Sequence, residues 1–163
     1  MEQRQPGFNW GALSMGSKGA LVAGVLMLID LFLPWNRVCV GGEEIFGTAF
    51  PETCASASGW STAIGVLAGL LVIALLVWEG LYAAGALANV AAPKKLITAA
   101  LAAGAALFAL LRWLLNLENA SFGAYIGIIL ALALLYVAWI NWQEHNAMTP
   151  GGMMPPPSMP PPA

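Results

Sequence analysis

Four long apolar stretches with almost no internal charge constrain this chain more than any other feature. They cover residues 19–35, 60–82, 96–115 and 122–142. About 20 apolar residues in a helix cross a hydrocarbon layer about 30 Å thick, and a helix satisfies its backbone hydrogen bonds without water. The sequence therefore predicts an all-α integral membrane protein in which four transmembrane helices form a bundle.

The composition agrees with a membrane environment. Of the 163 residues, 60% are hydrophobic and 9% are charged, whereas soluble domains carry about 25% charged residues. The first stretch lacks a small-x-small cleavage site, so we interpret it as a span rather than a signal peptide. The chain contains no basic patch of the kind that binds nucleic acid, so we expect the lipid bilayer, and no nucleic acid, as its surroundings.

Lysine and arginine are concentrated on one side of the predicted spans. Arg4 and Lys18 precede the first stretch, and Lys94 and Lys95 lie between the second and the third. The loop after the first stretch has one arginine against three glutamates. Because cytoplasmic loops are rich in lysine and arginine, this pattern predicts that both termini are cytoplasmic.

Aromatic residues lie at the ends of the stretches, as expected for interfacial belts. The predicted belts comprise Trp35 and Trp60 on the outer side, with Trp113 near them, and Trp78, Tyr82, Trp139 and Trp142 on the inner side.

The pattern divides the chain into three parts. Residues 1–18 form a predicted cytoplasmic segment, residues 19–142 the four-helix domain, and residues 143–163 a disordered tail rich in proline and methionine. Proline triplets favour polyproline II, which aromatic grooves recognise. A tail without a partner is the alternative, and we favour it because the signal is compositional only.

The two cysteines, Cys39 and Cys54, both lie in the loop assigned to the outer side. That side of the membrane permits disulfides, so we predict a bridge that closes the loop around a small hairpin. Free thiols and a metal site are the alternatives. Two cysteines without a nearby histidine make a poor zinc site, and we predict no metal.

Two opposite charges fall inside predicted spans. Asp30 lies twelve residues beyond Lys18, and Arg112 lies seventeen residues beyond Lys95. These separations correspond to about 18 Å and about 26 Å along the two helices. Because buried membrane charges usually pair, we predict an Asp30–Arg112 intramembrane ion pair between the first and third helices. Its role is open between a packing clamp and a proton or ion relay.

A third charge, Glu79, lies at the inner end of the second stretch. We expect it to reach the headgroups or one of Lys18, Lys94 and Lys95, and we consider it a weaker functional candidate than Asp30.

Small residues recur at four-residue spacing in two of the spans. Gly65 and Gly69 lie in the second, and Gly123 and Gly127 in the fourth. Such spacing lets helix backbones approach closely, so we predict that these glycines mediate helix packing.

The chain carries no motif typical of catalysis or cofactor binding. It has no phosphate-binding loop, His-Glu-x-x-His motif or nucleophile elbow. We therefore predict no catalytic residues, no cofactor and no enzymatic activity. The predicted function is that of an accessory or scaffolding component of a membrane assembly, with a membrane protein, a second copy or a binder of the tail as partner classes. A small transporter or proton-coupled protein that uses Asp30 and Arg112 is the alternative.

One linear pattern carries a resemblance. The run Asp30-Leu-Phe-Leu-Pro34-Trp35 is followed by Cys39, Cys54, Gly59-Trp60 and a glycine-rich second span. The first half of the chain thus resembles a group of small four-helix membrane proteins of unknown function from high-GC Gram-positive bacteria. The resemblance implies a location in a bacterial plasma membrane and implies no activity.

Overall fold

The computed structural model describes residues 10–42, 44–45, 48–49, 51–87 and 92–148. Four helices dominate these residues: α1 (Met15–Asp30), α2 (Ala63–Ala83), α3 (Lys94–Leu114) and α4 (Phe122–Met148). Four strands lie between α1 and α2: β1 (Pro34–Val40), β2 (Glu44–Ile45), β3 (Thr48–Ala49) and β4 (Thr53–Ser58).

Within the described residues, α2, α3 and α4 are long and apolar enough to cross a membrane, with mean hydropathies of 2.4, 1.8 and 2.2. Helix α1 has 16 residues, which corresponds to about 24 Å. The described part of the chain therefore contains three helices with the length of a full span and a shorter fourth.

The predicted limits of the first helix, 19 and 35, differ from those of α1. The helix begins earlier because Ser14 caps it, its hydroxyl accepting a hydrogen bond of 3.3 Å from the Ser17 amide. It ends at Asp30, since Pro34 has no N–H to donate and biases the residue before it away from helix. The apolar run continues through this turn, so hydrophobicity alone does not reveal it.

The predicted tail also begins too early. Helix α4 continues to Met148, so residues 143–148 are helical rather than disordered. Residues 149–163 and residues 1–9 lie outside the described residues, together with the predicted role of the proline triplets.

The helices pack as an up-and-down bundle. Helix α1 packs against α2 and α4, and α3 packs against the same two helices from the opposite corner. The core between them is rich in alanine, which permits close helix approach. Its fully buried members include Ala20, Met27, Val72, Leu75, Ala102, Ala105, Ala106, Ala131 and Leu134.

A disulfide-closed hairpin caps one end of the bundle. Strands β1 and β4 are antiparallel, with Cys39 directly opposite Cys54, and the two sulfurs are bonded. The hairpin is fixed to the start of α4, because the Ser121 amide donates a hydrogen bond of 2.8 Å to the Trp35 carbonyl. The predicted disulfide is confirmed, and inside the loop that it closes the short strands β2 and β3 pair antiparallel, where the small hairpin is predicted; the longer β1–β4 hairpin is not predicted.

Removing the bridge should loosen the hairpin and leave the bundle folded. Both cysteines are exposed and lie outside the helix contacts. For a separation of 15 residues, the chain-entropy model gives a stabilisation of about 3 kcal/mol. Changing both cysteines to serine should therefore increase proteolysis within the hairpin, with little change in helicity in detergent. Maleimide labelling of either thiol without prior reduction would contradict the bridge.

Candidate functional site

Arg112, on the last turn of α3, is the centre of a polar cluster at the hairpin end of the bundle. Its side chain is buried, with 1% exposed. Nη1 donates to the Gly59 carbonyl and to Thr62 Oγ1, the latter at 2.8 Å. Nη2 donates to the Ser58 carbonyl at 2.9 Å and to Ser61 Oγ at 3.2 Å. One guanidinium thus ties the end of β4 and the start of α2 to α3.

The structure does not bring Asp30 and Arg112 together as an ion pair. The Nη atoms of Arg112 are bound to the start of α2, and neither Asp30 carboxylate oxygen has a hydrogen-bond partner among the described residues. The physical reason is the lateral arrangement of the helices, because α1 and α3 occupy opposite corners of the bundle. Trp35 contacts both residues, since its indole N–H donates to the Asp30 carbonyl at 3.1 Å and its ring lies 5.2 Å from the guanidinium carbon.

The Asp30 side chain is enclosed at the end of α1. It is 2% exposed, and a Cβ atom on Gly127 of α4 would lie 2.7 Å from Asp30 Oδ2. A buried carboxyl group without a partner is costly in a protein interior, and more so in a membrane. Asp30 is therefore a buried acidic side chain whose two oxygens have no hydrogen-bond partner among the described residues.

The four predicted packing glycines all lie at close approaches, but their neighbours differ from the prediction. Gly65 faces the Gly59 carbonyl and Arg112, and Gly69 faces the ring of Trp60. Gly123 lies against the Pro34 carbonyl, and Gly127 lies against the ring of Trp35. These glycines make room for the hairpin base and its tryptophans rather than for a neighbouring helix backbone. Trp35 is accordingly buried in the bundle, at 1% exposed, and is not part of an interfacial belt.

A second polar cluster lies at the opposite end of the bundle, around Glu79 of α2. Glu79 is fully buried, and its Oε1 accepts a hydrogen bond from the Thr98 hydroxyl of α3. The Lys94 ammonium lies 3.4 Å from Glu79 Oε2, donates to Ser17 Oγ at 3.2 Å, and lies 4.9 Å from the Tyr82 ring centroid. The cluster joins α1, α2 and α3.

A second ion pair extends this cluster to α4. Lys95 pairs with Glu144 of α4 and donates to the Ser14 hydroxyl at the start of α1. All four helices are therefore connected through charged or hydroxyl groups at this end. Lys94 was among the partners expected for Glu79, whereas the contribution of Ser14, Thr98 and Glu144 was not predicted. The four-residue spacing of Lys94 and Thr98 on one helix face was the available signal.

Breaking the Glu79–Lys94 contact should destabilise the bundle. Glu79→Gln or Lys94→Met alone leaves one charge without its partner, which costs about 3–5 kcal/mol for fully buried pairs. Lys94 is partly exposed, so we expect about 1–3 kcal/mol. The double variant should lose less than the sum of the single losses in thermal unfolding in detergent. The matched control is Glu118→Gln, at an exposed position, and additive losses would contradict the coupling.

One further group of ligand-type atoms lies on the hairpin. Cys39, Glu52 and Cys54 bring their ligand atoms within 4.8 Å of one another. Both sulfurs are used in the disulfide. Because metal binding by cysteine requires thiolates, the group is not a metal site in this state.

Comparison of the chain with protein-family models, with curated proteins and with solved structures finds no match. The resemblance to the actinobacterial four-helix proteins stays a prediction.

Proposed function

We propose that this chain is a non-catalytic, four-span membrane protein that acts as an accessory or scaffolding component of a membrane assembly. The observation that carries the proposal is the way the bundle uses its interior charges. Arg112, Glu79, Lys94 and Lys95 are held by protein groups at the two ends, and Asp30 is the exception. Apolar side chains fill the section between them, which suits a rigid support rather than a reaction chamber.

The proposal includes α1 as the fourth span. Its 16 residues are fewer than a typical span needs, and mismatch of this size is met by local thinning of the bilayer or by flanking residues. Packing of α1 against both α2 and α4 supports this arrangement. We further propose a bacterial plasma-membrane location with both termini cytoplasmic. Reporter fusions after Ala163 and after Gly42 should then read opposite sides of the membrane, and the same side for both would refute the four-span arrangement.

The hairpin is the surface that we propose meets the partner. Val38 and Val40 are 48% and 66% exposed, and residues two apart on a strand share a face. We propose that the partner packs on this pair of exposed valines. A photoreactive residue placed at Val38 or Val40 in living cells should therefore cross-link to a second protein. The control is Val22 on α1, which is 51% exposed at the predicted lipid surface. No cross-linking at either Val38 or Val40 would count against the proposal. Cross-linking at Val22 to the same extent as at these two positions would also count against it.

Asp30 favours a second candidate function, a small proton-coupled or cation-coupled transporter. Its carboxylate oxygens are buried without a hydrogen-bond partner among the described residues, and acidic groups at membrane depth commonly carry ions or protons. Flux into proteoliposomes should then be lost in Asp30→Asn, which keeps the shape of the side chain. Glu118→Gln, at an exposed position, is the control. Equal flux in the wild-type protein and in Asp30→Asn would reject this candidate.

A further inference from the structure

Three side chains of the hairpin bring metal-ligand atoms to one face. Glu52 directly precedes β4 and lies two residues before Cys54, and residues two apart in an extended chain share a face. Cys39 of β1 lies directly opposite Cys54. The two sulfurs and a carboxylate oxygen of Glu52 all lie within 4.8 Å of one another. All three residues are exposed, so ions in solution can reach them.

Gly41 holds Glu52 in this position. Its φ is 103°, a left-handed conformation that glycine adopts readily. A Cβ atom on Gly41 would lie 2.6 Å from the Pro51 carbonyl oxygen and 3.3 Å from the Glu52 Cα atom. The chain that leaves β1 therefore packs directly against the chain that enters β4, which keeps Glu52 beside Cys54.

The distance between Glu52 and Cys54 fits a metal site better than it fits the disulfide. Glu52 Oε1 lies 3.7 Å from Cys54 Sγ. A disulfide sulfur has no hydrogen to donate, so the carboxylate gains no hydrogen bond from this contact. In a tetrahedral zinc site, where Zn–S is about 2.3 Å and Zn–O about 2.1 Å, the sulfur and oxygen ligands are about 3.6 Å apart. The structure thus holds this pair close to the separation that zinc requires.

We propose that the reduced hairpin binds one zinc ion through Cys39, Glu52 and Cys54, with a water molecule as the fourth ligand. Zinc adopts this coordination with three protein ligands. Two thiolates select a thiophilic ion such as zinc over magnesium and calcium, which take oxygen ligands. The sequence prediction of no metal rested on two cysteines without a histidine, and Glu52 supplies the third ligand that this reasoning lacked.

The site forms only after reduction of the disulfide, which requires a dithiol donor. A thiolate of the donor attacks one sulfur of the bridge, which breaks the Cys39–Cys54 bond and forms a mixed disulfide. The second thiol of the donor then displaces the chain. Two electrons pass to the chain, which now carries two thiols, and the donor leaves as a disulfide. Zinc replaces the two thiol protons, which go to solvent.

The strands keep the two cysteines together once the bond is broken. The β1–β4 register continues on both sides of the cysteine pair, with Val38 opposite Ala55 and Val40 opposite Thr53. Two sulfurs that bind one tetrahedral zinc ion are about 3.8 Å apart, a separation that rotation of the side chains provides without movement of the backbone. The divalent charge of the ion also offsets the repulsion between the two thiolates and the carboxylate. The same loop is therefore closed by a disulfide in one state and by a metal ion in the other.

The proposal does not depend on a partner at the hairpin, because residues 39–54 supply all the protein ligands. The test uses the full chain in mild detergent, after reduction and removal of the reductant under nitrogen. Reduced wild type should bind one Co²⁺ per chain with thiolate-to-cobalt charge-transfer absorption. Zn²⁺ should displace the Co²⁺, and binding of Zn²⁺ to the metal-free reduced chain should release about two protons at pH 7. The oxidised chain should show no such absorption, since its sulfurs form no thiolate.

Glu52→Gln separates this site from binding by the two thiolates alone. It should weaken Zn²⁺ binding by at least about tenfold, because even groups that only orient a metal ligand are worth about 10–100-fold in affinity. The matched control is Glu118→Gln, at an exposed position outside the hairpin, which should bind Zn²⁺ as the wild type does. Zn²⁺ should also restore the resistance of the reduced hairpin to proteolysis, because the ion closes the loop again.

Three outcomes would overturn the proposal. The first is a reduced wild-type chain that binds Co²⁺ without charge-transfer absorption or does not bind it. The second is equal Zn²⁺ affinity of the wild type and Glu52→Gln, which would remove Glu52 from the site. The third is half an ion per chain, which would assign the metal to four cysteines of two chains.

Discussion

Replacing Arg112 with leucine should lower the free energy of unfolding by about 2–4 kcal/mol, because neutral carbonyl and hydroxyl groups lose their donor in a largely buried site. Four hydrogen bonds disappear together. Two of their acceptors are the carbonyls of Ser58, which is half-buried, and of Gly59, which is buried, and both would lose the donor that Arg112 supplies. Each buried polar group left unsatisfied costs about 1–3 kcal/mol, so the loss does not depend on Asp30. The measurement is the midpoint of thermal unfolding of the purified chain in detergent, followed by circular dichroism.

Arg37 on β1 provides the matched control, since it has the same side chain at an exposed position. Arg37→Leu should change the free energy of unfolding by no more than surface substitutions do, which is about 0.5 kcal/mol. Arg112→Lys should fall between the wild type and Arg112→Leu, because lysine keeps the charge but lacks the planar fork of donors. Equal losses for Arg37→Leu and Arg112→Leu would show that the cluster does not stabilise the fold.

For the Arg112 cluster, the depth of each residue could be predicted from the sequence, but its lateral neighbours could not. Depth in a membrane can be calculated from residue number at about 1.5 Å per residue, and it correctly put Asp30 and Arg112 in the same half of the bundle. Lateral position cannot be calculated in this way. Helix α1 carries no continuous polar face that would identify its neighbours, and the polar residues of α3 lie at its two ends. Opposite corners of the bundle and Trp35 keep the two charges from pairing.

The disulfide was predictable because the chain has two cysteines in one loop and no other choice of partner. The end of α1 was not, since the apolar run through Leu31 and Leu33 hides the turn before Pro34. The inner cluster was only partly predictable. Charge attraction indicated a lysine partner for Glu79, and four-residue spacing puts Thr98 on the same helix face as Lys94, but this spacing does not identify which groups meet these side chains. Their position depends on how the helices rotate in the bundle.

The neighbours of the glycines of α2 could not be predicted from the sequence either. Within this helix, Gly65 is closely approached by other groups and Gly80 is not. Four-residue spacing indicated close approach at Gly65 and Gly69 but did not identify what approaches. A Cβ atom on Gly65 would overlap the Gly59 carbonyl oxygen and Arg112 Nη1. A Cβ atom on Gly80, in the same helix, would meet nothing within 4 Å. The two positions therefore separate steric overlap from helix propensity.

Gly65→Ala should destabilise the protein by about 3 kcal/mol, because overpacking costs about 1–3 kcal/mol and displacing the guanidinium weakens its hydrogen bonds as well. Gly80→Ala should be neutral or stabilising by up to about 1 kcal/mol, since alanine is the better helix former. Both variants are measured by thermal unfolding in the same detergent. In the background of Arg112→Leu, Gly65→Ala should cost less, because one of the two overlapping groups is gone. An unchanged cost in that background would mean that the overlap with the backbone alone sets the requirement for glycine, and a neutral Gly65→Ala would contradict the close approach itself.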